Sequence, residues 1–525
     1  MTLAENAELR AQFPADDSSN RIVQMLRIWF GVDWRSLLAF RIGLGLLLIW
    51  DAASRLRDAS AFYSSAGVLP RGLWLQEFSS RYPICLNLAC DDVWFQYALL
   101  TVLIVSGLFI TIGYRTTVSF AVAFILLGSL HTRNPQVLSL GDSLLRLLLF
   151  WSIFIPWGWV QSHTHTPRRE TDDSFSDDAG AATLSPAVLA LVLQVAGMYL
   201  ITAIMKTGEA WHNGQALYYA LHLDHMNYPW SKQLLNYPQL LQFLTTSTMV
   251  LEYSAPFLLL GLPFPRASRT IAVVLLIALH LGIIATIRIG IFPWVNLIAL
   301  LPFVPGRVWQ MCPATSWFST PIKQFAKRFR SETTPIVVDR SRPASVLGIG
   351  PLALKQGAVL FFSFYVTWWN LSTLSPRYVM PASWRTVGTT LRLDQKWSMY
   401  APDPSDFDGW YVMVATQADG RQFDPLQNGR AVVWDKPDDV GGMFDNFRWR
   451  KFMMKLVSRG NPKSLRASYA DYFVRQWNRQ ATPTDQIQSL EIHFIVERTQ
   501  PENQTTLRPR LIYRWTATSA LKEFK

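Results

Sequence analysis

Charge is scarce in this chain. Only 16% of its 525 residues are Asp, Glu, Lys or Arg, and half are hydrophobic. Soluble globular proteins carry about a quarter charged residues, so an ordinary soluble domain is excluded. Cysteine is scarcer still, at three. Cys85 and Cys90 lie in one loop and Cys312 stands alone, so no metal-ligand spacing exists and no metal is expected. His222 and His225 flank Asp224, but no third ligand lies within reach along the sequence. No basic tract with interleaved aromatics marks a nucleic-acid groove, and no repeat of fixed period is visible. The first 34 or so residues are polar, which argues against a cleavable signal peptide.

What the chain has instead is long apolar runs. Stretches of about twenty residues recur, each long enough to cross a bilayer as a helix. Nine spans are read, near 35–56, 93–112, 116–131, 143–160, 184–205, 238–262, 268–286, 289–305 and 351–370. The seventh and eighth are separated by only a few residues around Ile287 and Arg288, so eight or ten spans are also open. The fold expected is a polytopic all-α membrane protein with a small C-terminal α+β extramembrane domain. The 22 Trp and 17 Tyr suit two interfacial belts. The net charge of +12 fits basic loops facing anionic lipid headgroups.

The chain divides into a polar N-terminus (1–34), a transmembrane core (35–305), a basic loop (306–350), a last span (351–370) and a C-terminal domain (371–525). The loop holds Arg307, Lys323, Lys327, Arg328, Arg330, Arg340 and Arg342 against two acids. Lys/Arg bias puts it in the cytoplasm. The N-terminus is then inside and the C-terminal domain outside. Four unusual segments then share the outer face: Phe62 to Arg71, Arg133 to Asp142, Lys206 to Trp230 and Ile287 to Trp294. Cys85 and Cys90 fall there too, either as a local disulfide or as two free thiols. Beyond residue 371, strands are expected at Trp410–Ala415, Ala431–Trp434, Leu490–Arg498 and Leu511–Thr516. Helices are expected at 445–458 and 464–479.

Ionisable residues inside spans cost about 2.5–3.5 kcal/mol each on insertion scales, which makes them functional candidates by default. Arg41 and Asp51 lie in the first span, Glu252 in the sixth and His280 in the seventh. Asp142 and Arg146 begin the fourth, four residues apart on one helix face. Structural ion pairs that fix helix packing are the competing reading. Lys206 ends the uncharged run from Leu184 to Met205, beside Gly208, Glu209, Trp211, His212 and Gly214. Its amine either snorkels to the interface or serves as a partly desolvated base.

Several of these motifs resemble the horizontally transferred transmembrane (HTTM) domain of the vitamin K-dependent γ-glutamyl carboxylase family. They are Phe62-Tyr-Ser-Ser-Ala-Gly-Val-Leu-Pro-Arg71, Arg133-Asn-Pro with Gly141-Asp-Ser-Leu-Leu-Arg146, Lys206 to Gly214, and His280 with Ile289-Gly-Ile-Phe-Pro-Trp294. Gln395-Lys-Trp-Ser-Met-Tyr-Ala-Pro-Asp-Pro404, followed by Asp408-Gly-Trp, looks like bacterial members of that family. The resemblance implies a reduced quinone, vitamin K hydroquinone or a relative, as cofactor. Lys206 would be the catalytic base, and Trp211 keeps the family spacing five residues on. Asp142, Arg146, His212, Glu252, His280, Arg288 and Arg41 would support the site. It also implies a bacterial inner or plasma membrane and a peptide or protein substrate, with no nucleic acid. Desolvation tunes a lysine toward the neutral amine that such a base needs. The family's Asn-His-Ser segment corresponds here to Gly141-Asp142-Ser143, a departure at the position tied to carboxylation. Quinol oxidation and epoxidation, with or without carboxylation, is the activity expected. A non-catalytic maturation or assembly factor for a peptide or lipid client is the alternative. A transporter ranks behind both, because no inverted repeat of interrupted spans is visible.

Overall fold

The computed structural model describes residues 25–162, 182–311, 351–458, 460–500 and 505–517. The start of the polar N-terminus, most of the basic loop 306–350, and Cys312 lie outside these residues.

Helices form where the apolar runs are. They are α1 (Trp34–Leu56), α2 (Val93–Ile112), α3 (Thr116–Arg133), α4 (Leu140–Phe154), α5 (Pro186–Met205), α6 (Pro238–Leu259), α7 (Pro265–Thr286), α8 (Phe292–Leu300) and α9 (Pro351–Leu374). Local chemistry sets their starts. Asp33 accepts from the Arg35 amide to cap α1, and Ser185 caps α5 ahead of Pro186. Ser139 and Asp142 form a reciprocal capping box on α4.

Five of these helices, α1, α2, α3, α5 and α7, are long and apolar enough to cross a membrane. The expectation of nine spans is thereby narrowed. Helix α4 has 15 residues and α8 has nine, about 22 and 14 Å at 1.5 Å per residue. Both fall short of a hydrocarbon core about 30 Å thick. Helix α6 carries Gln, Thr and Glu252 among its apolar residues, and α9 carries Lys355, Gln356 and Asn370.

Helices α1 and α2 cross closely because glycine faces the contact on both. A Cβ on Gly45 would meet the Thr111 hydroxyl at 2.3 Å, and one on Gly107 would meet Ile49 at 2.8 Å. Small residues at such crossings let backbones approach, which is how helices gain contact in lipid.

The C-terminal region holds a four-stranded antiparallel sheet in the order β2-β1-β3-β4. Its strands are β1 (Phe407–Gln417), β2 (Gln422–Phe423), β3 (Ile487–Thr499) and β4 (Thr505–Thr516). Tyr411 pairs with Phe494 and Met413 with Ile492. These side chains are buried with Phe452, Leu456 and Tyr469 of helices α10 (Phe447–Val457) and α11 (Lys463–Asn478). The expected strand Ala431–Trp434 does not form. The short strand after the Asp419-Gly420 turn is Gln422–Phe423, paired with Ala415 and Thr416. The run at 431–434 makes no ladder pairing, and the Trp434 carbonyl instead accepts from Trp410 Nε1 at 3.1 Å.

Cys85 and Cys90 are free thiols, so no local disulfide forms. The Cys85 sulfur instead lies 3.6 Å from the carbonyl of Ser129 on α3.

Candidate functional site

Lys206 is the first residue past α5, and its side chain does not snorkel. It is 3% exposed and is paired with the Glu252 carboxylate of α6, itself 6% exposed. Its Nζ also sits 4.1 Å from the centroid of the Trp211 ring, within cation–π range. Burial pulls the Lys206 amine below the ordinary lysine value, against the opposing pull of Glu252. Two turns earlier on α5, Tyr199 shares the Lys206 side of the helix and lies within electrostatic reach of Glu252. Its hydroxyl is 2.8 Å from His280 Nε2 and 3.4 Å from Asn296 Oδ1. His280 is 2% exposed, and its Nδ1 has no hydrogen-bond partner among the described residues. Lys206, Glu252, Tyr199 and His280 thus make a buried polar track through an otherwise apolar core.

The turn after Lys206 is held by the Gln395–Pro404 segment. The Gly208 amide donates to the Pro402 carbonyl at 3.1 Å. The Ala210 amide donates to Asp403 Oδ1 at 3.0 Å, and Trp211 Nε1 to the Tyr400 carbonyl at 2.8 Å. Two motifs nearly two hundred residues apart therefore close on each other. His212 does not join them: it is exposed, with Nδ1 2.8 Å from the Gly208 carbonyl.

A second buried cluster lies at the ends of α1, α3 and α4. Arg55 bonds Asp51 at 2.8 Å, Asp142 at 2.5 Å and the Tyr63 hydroxyl at 2.8 Å. Asp142 and Arg146, expected to pair directly, are bridged by His131. His131 Nδ1 lies 3.1 Å from Arg146 Nη1, and its Nε2 lies 3.6 Å from Asp142 Oδ1. His131 Nε2 also lies 3.3 Å from Arg55 Nη2, so guanidinium nitrogens face both ring nitrogens and a neutral imidazole accepts from one of the two. Arg146 also donates to the backbone carbonyls of Arg392 and Asp394. Arg41 does not pair with Asp51. It is 2% exposed, and its nearest polar partner is the Thr111 carbonyl at 3.5 Å. Ten residues along one helix separate the two by about 15 Å.

Asp51 is engaged instead by Arg448 of α10, which also donates to the Ser54 hydroxyl. Its neighbours join the same junction. Trp449 Nε1 donates to Asp58, and Arg450 Nη1 to the His225 carbonyl at 3.1 Å. Arg288, expected near Lys206, makes a two-pronged pair with Asp439 at 2.8 and 2.9 Å and fastens the C-terminal region. His225 pairs with Asp408, and His222 Nδ1 lies 2.8 Å from the Tyr218 carbonyl. The two histidines therefore do not share a ligand.

Sequence reasoning missed His131, Tyr199, Arg448 and Arg450. For Tyr199 a signal existed, since it lies seven residues before Lys206 and so on one helix face. The other three acquire their setting only through tertiary contacts.

Five bilayer-length apolar helices around buried ionisable clusters, joined to a sheet-bearing C-terminal region, define an integral helical membrane protein. The HTTM domain model matches residues 173–308. The chain therefore carries an HTTM domain, the one its motifs resemble, and that stretch contains Lys206, Trp211, Glu252, His280 and Arg288. No curated protein and no solved structure matches the chain.

Proposed function

We propose that the protein is a carboxylase-like membrane enzyme in which Lys206 acts as a base toward a reduced quinone. The observation that carries this reading is the lysine itself. Its amine is sealed between a carboxylate and an indole ring, next to an apolar core. A buried ammonium is costly, so a low-dielectric site favours transfer of its proton to a neighbour. Glu252 is the neighbour in contact. With the proton on Glu252, the Lys206 amine is free to accept one from an acidic hydroxyl.

The surrounding residues fit an aromatic diol. Trp211 offers a ring face. The Tyr400 hydroxyl, packed against the Trp211 group, is buried without a partner among the described residues, as is His280 Nδ1. A bound quinol supplies reducing equivalents to oxygen; the chain's part is to hold it, exclude water and take its proton. The purified full-length protein, given vitamin K hydroquinone, oxygen, bicarbonate and a glutamyl peptide, is expected to form the quinone epoxide. Absence of both epoxide and carboxylated peptide overturns the reading.

The same pair supports a second reading, a structural clamp between α5 and α6 in a non-catalytic assembly factor. Buried pairs are often replaceable by apolar residues of similar volume. Retained cellular function in Lys206→Met/Glu252→Leu, with loss on removing residues 400–525, favours the clamp.

A further inference from the structure

The starts of α1 and α7 and the chain that follows α8 enclose a cavity of about 70 Å³ at one rim of the helical core. Three guanidinium side chains line it: Arg27, Arg266 and Arg269. Among the described residues its wall holds one carboxylate, Asp33, and Arg35 already takes that group through two bonds of 2.9 Å. Arg269 is buried and fixes the shape of the wall. It donates to the carbonyls of Leu259, Gly31 and Trp29 at 3.1, 2.9 and 2.6 Å. All three acceptors are neutral, so these bonds leave its charge unmatched. A guanidinium has five donors, so three such bonds leave two for a ligand. Ser36 holds the other side in place by donating to the Val304 carbonyl at 2.7 Å. Arg27 and Arg266 are exposed, which leaves the cavity open to its surroundings.

Three positive charges around one small space repel each other. An anion with several acceptor oxygens relieves that repulsion and matches the guanidinium forks. Pockets for whole small molecules run to about 300–1,000 Å³, so this space takes a phosphate group rather than a nucleotide. Its setting indicates what the phosphate is attached to. Ile28 in the wall and Phe264 beside Pro265 are exposed apolar side chains, in a protein with five bilayer-length helices. Acyl chains cover such residues, and a free phosphate does not. Basic pockets between membrane helices are suited to lipid headgroups.

We infer that Arg27, Arg266 and Arg269 form a binding site for the phosphate of a net-anionic phospholipid whose acyl chains run past Ile28 and Phe264. This site stands apart from the quinol reading, because binding needs no quinol, oxygen or turnover.

The test uses the full-length protein in maltoside micelles and a fluorescent short-chain phosphatidylglycerol, with binding read by anisotropy. Saturable binding is expected. Unlabelled phosphatidylglycerol displaces the probe at a concentration about tenfold or more below that of phosphatidylcholine, whose choline cation opposes the site. Arg27→Gln and Arg266→Gln each weaken binding about fivefold, and the double variant about thirtyfold. Arg27→Lys/Arg266→Lys retains most of the affinity, and melting curves confirm that these exposed variants fold. Arg269 is left intact because it holds three backbone carbonyls. Arg385→Gln, at an exposed arginine on the helix Ala382–Thr390, leaves binding unchanged. Displacement by inorganic phosphate as readily as by phosphatidylglycerol assigns the site to a free anion and overturns the lipid assignment. Equal displacement by the two lipids, unchanged binding in Arg27→Gln/Arg266→Gln, or an equal loss in Arg385→Gln overturns the site.

Discussion

Arg448 on helix α10 forms a buried ion pair with Asp51 on α1, 397 residues away in the chain. The pair ties the C-terminal region to the helical core at the cluster that also contains Arg55, His131 and Asp142. Docking of the two regions is therefore part of the fold of each.

Removing Arg448 leaves Asp51 held by Arg55 and costs it one charge-assisted hydrogen bond. Arg448→Met is expected to destabilise the protein by about 1.5–3 kcal/mol, read as a lowered melting temperature in detergent. Asp51→Leu combined with Arg448→Met removes both charges and leaves the Arg55–Asp142 pair in place. The double variant is expected to lose less than the sum of the two single variants, although Arg55 gives up its Asp51 bonds in it. Additive losses would mean that the two side chains do not interact.

Gly208 has no room for a side chain. A Cβ there would sit 1.9 Å from the Asp403 carboxylate. Gly208→Ala is expected to cost about 1–3 kcal/mol and to displace the Trp211 ring from Lys206. Asp403→Ala in the same chain relieves the clash but loses the Ala210 amide bond, so recovery is partial. Fluorescence-detected thermal unfolding of wild type and the two variants checks the order.

Lys451 gives a pH signature. Burial first, then Arg450 and Lys455, pull its amine down to about 8 from 10.5, with Asp142 opposing. Above pH 8 the folded state releases a proton that the unfolded state keeps until about 10.5. The unfolded state then binds more protons, so stability rises with pH across that window. Wild type is expected to gain stability relative to Lys451→Met from pH 8 upward, with no pH-dependent difference well below 8. Acylation followed by mass spectrometry is expected to label Lys451 half-maximally near pH 8 in the folded protein.

Much of the helical core was legible from the sequence, because apolar runs and caps such as Ser185-Pro186 are local signals. The Lys206 boundary was legible for the same reason: one charge after an uncharged run. Its partner Glu252 stood out as a charge within a span, but nothing local joined the two. Arg448 and Arg450 looked like ordinary basic positions on an amphipathic helix, and only packing of α10 on the core buries them. His131 sits in the last turn of α3, where a basic residue suits the helix dipole, and its role as a bridge depends on the approach of α4. The strand expected at Ala431–Trp434 reflects the same limit, since a β-prone run becomes a strand only by ladder pairing, and here the Trp434 carbonyl is taken by the Trp410 indole.

The most direct measurement of the central proposal is epoxide formation by wild type and Lys206→Met, with folding of both verified by melting. Wild type is expected to convert vitamin K hydroquinone to the epoxide in the presence of oxygen. Lys206→Met is expected to be slower by about 10²–10⁴-fold, the usual contribution of a positioned base. Equal rates in the two proteins, or no epoxide from wild type, would contradict a catalytic Lys206.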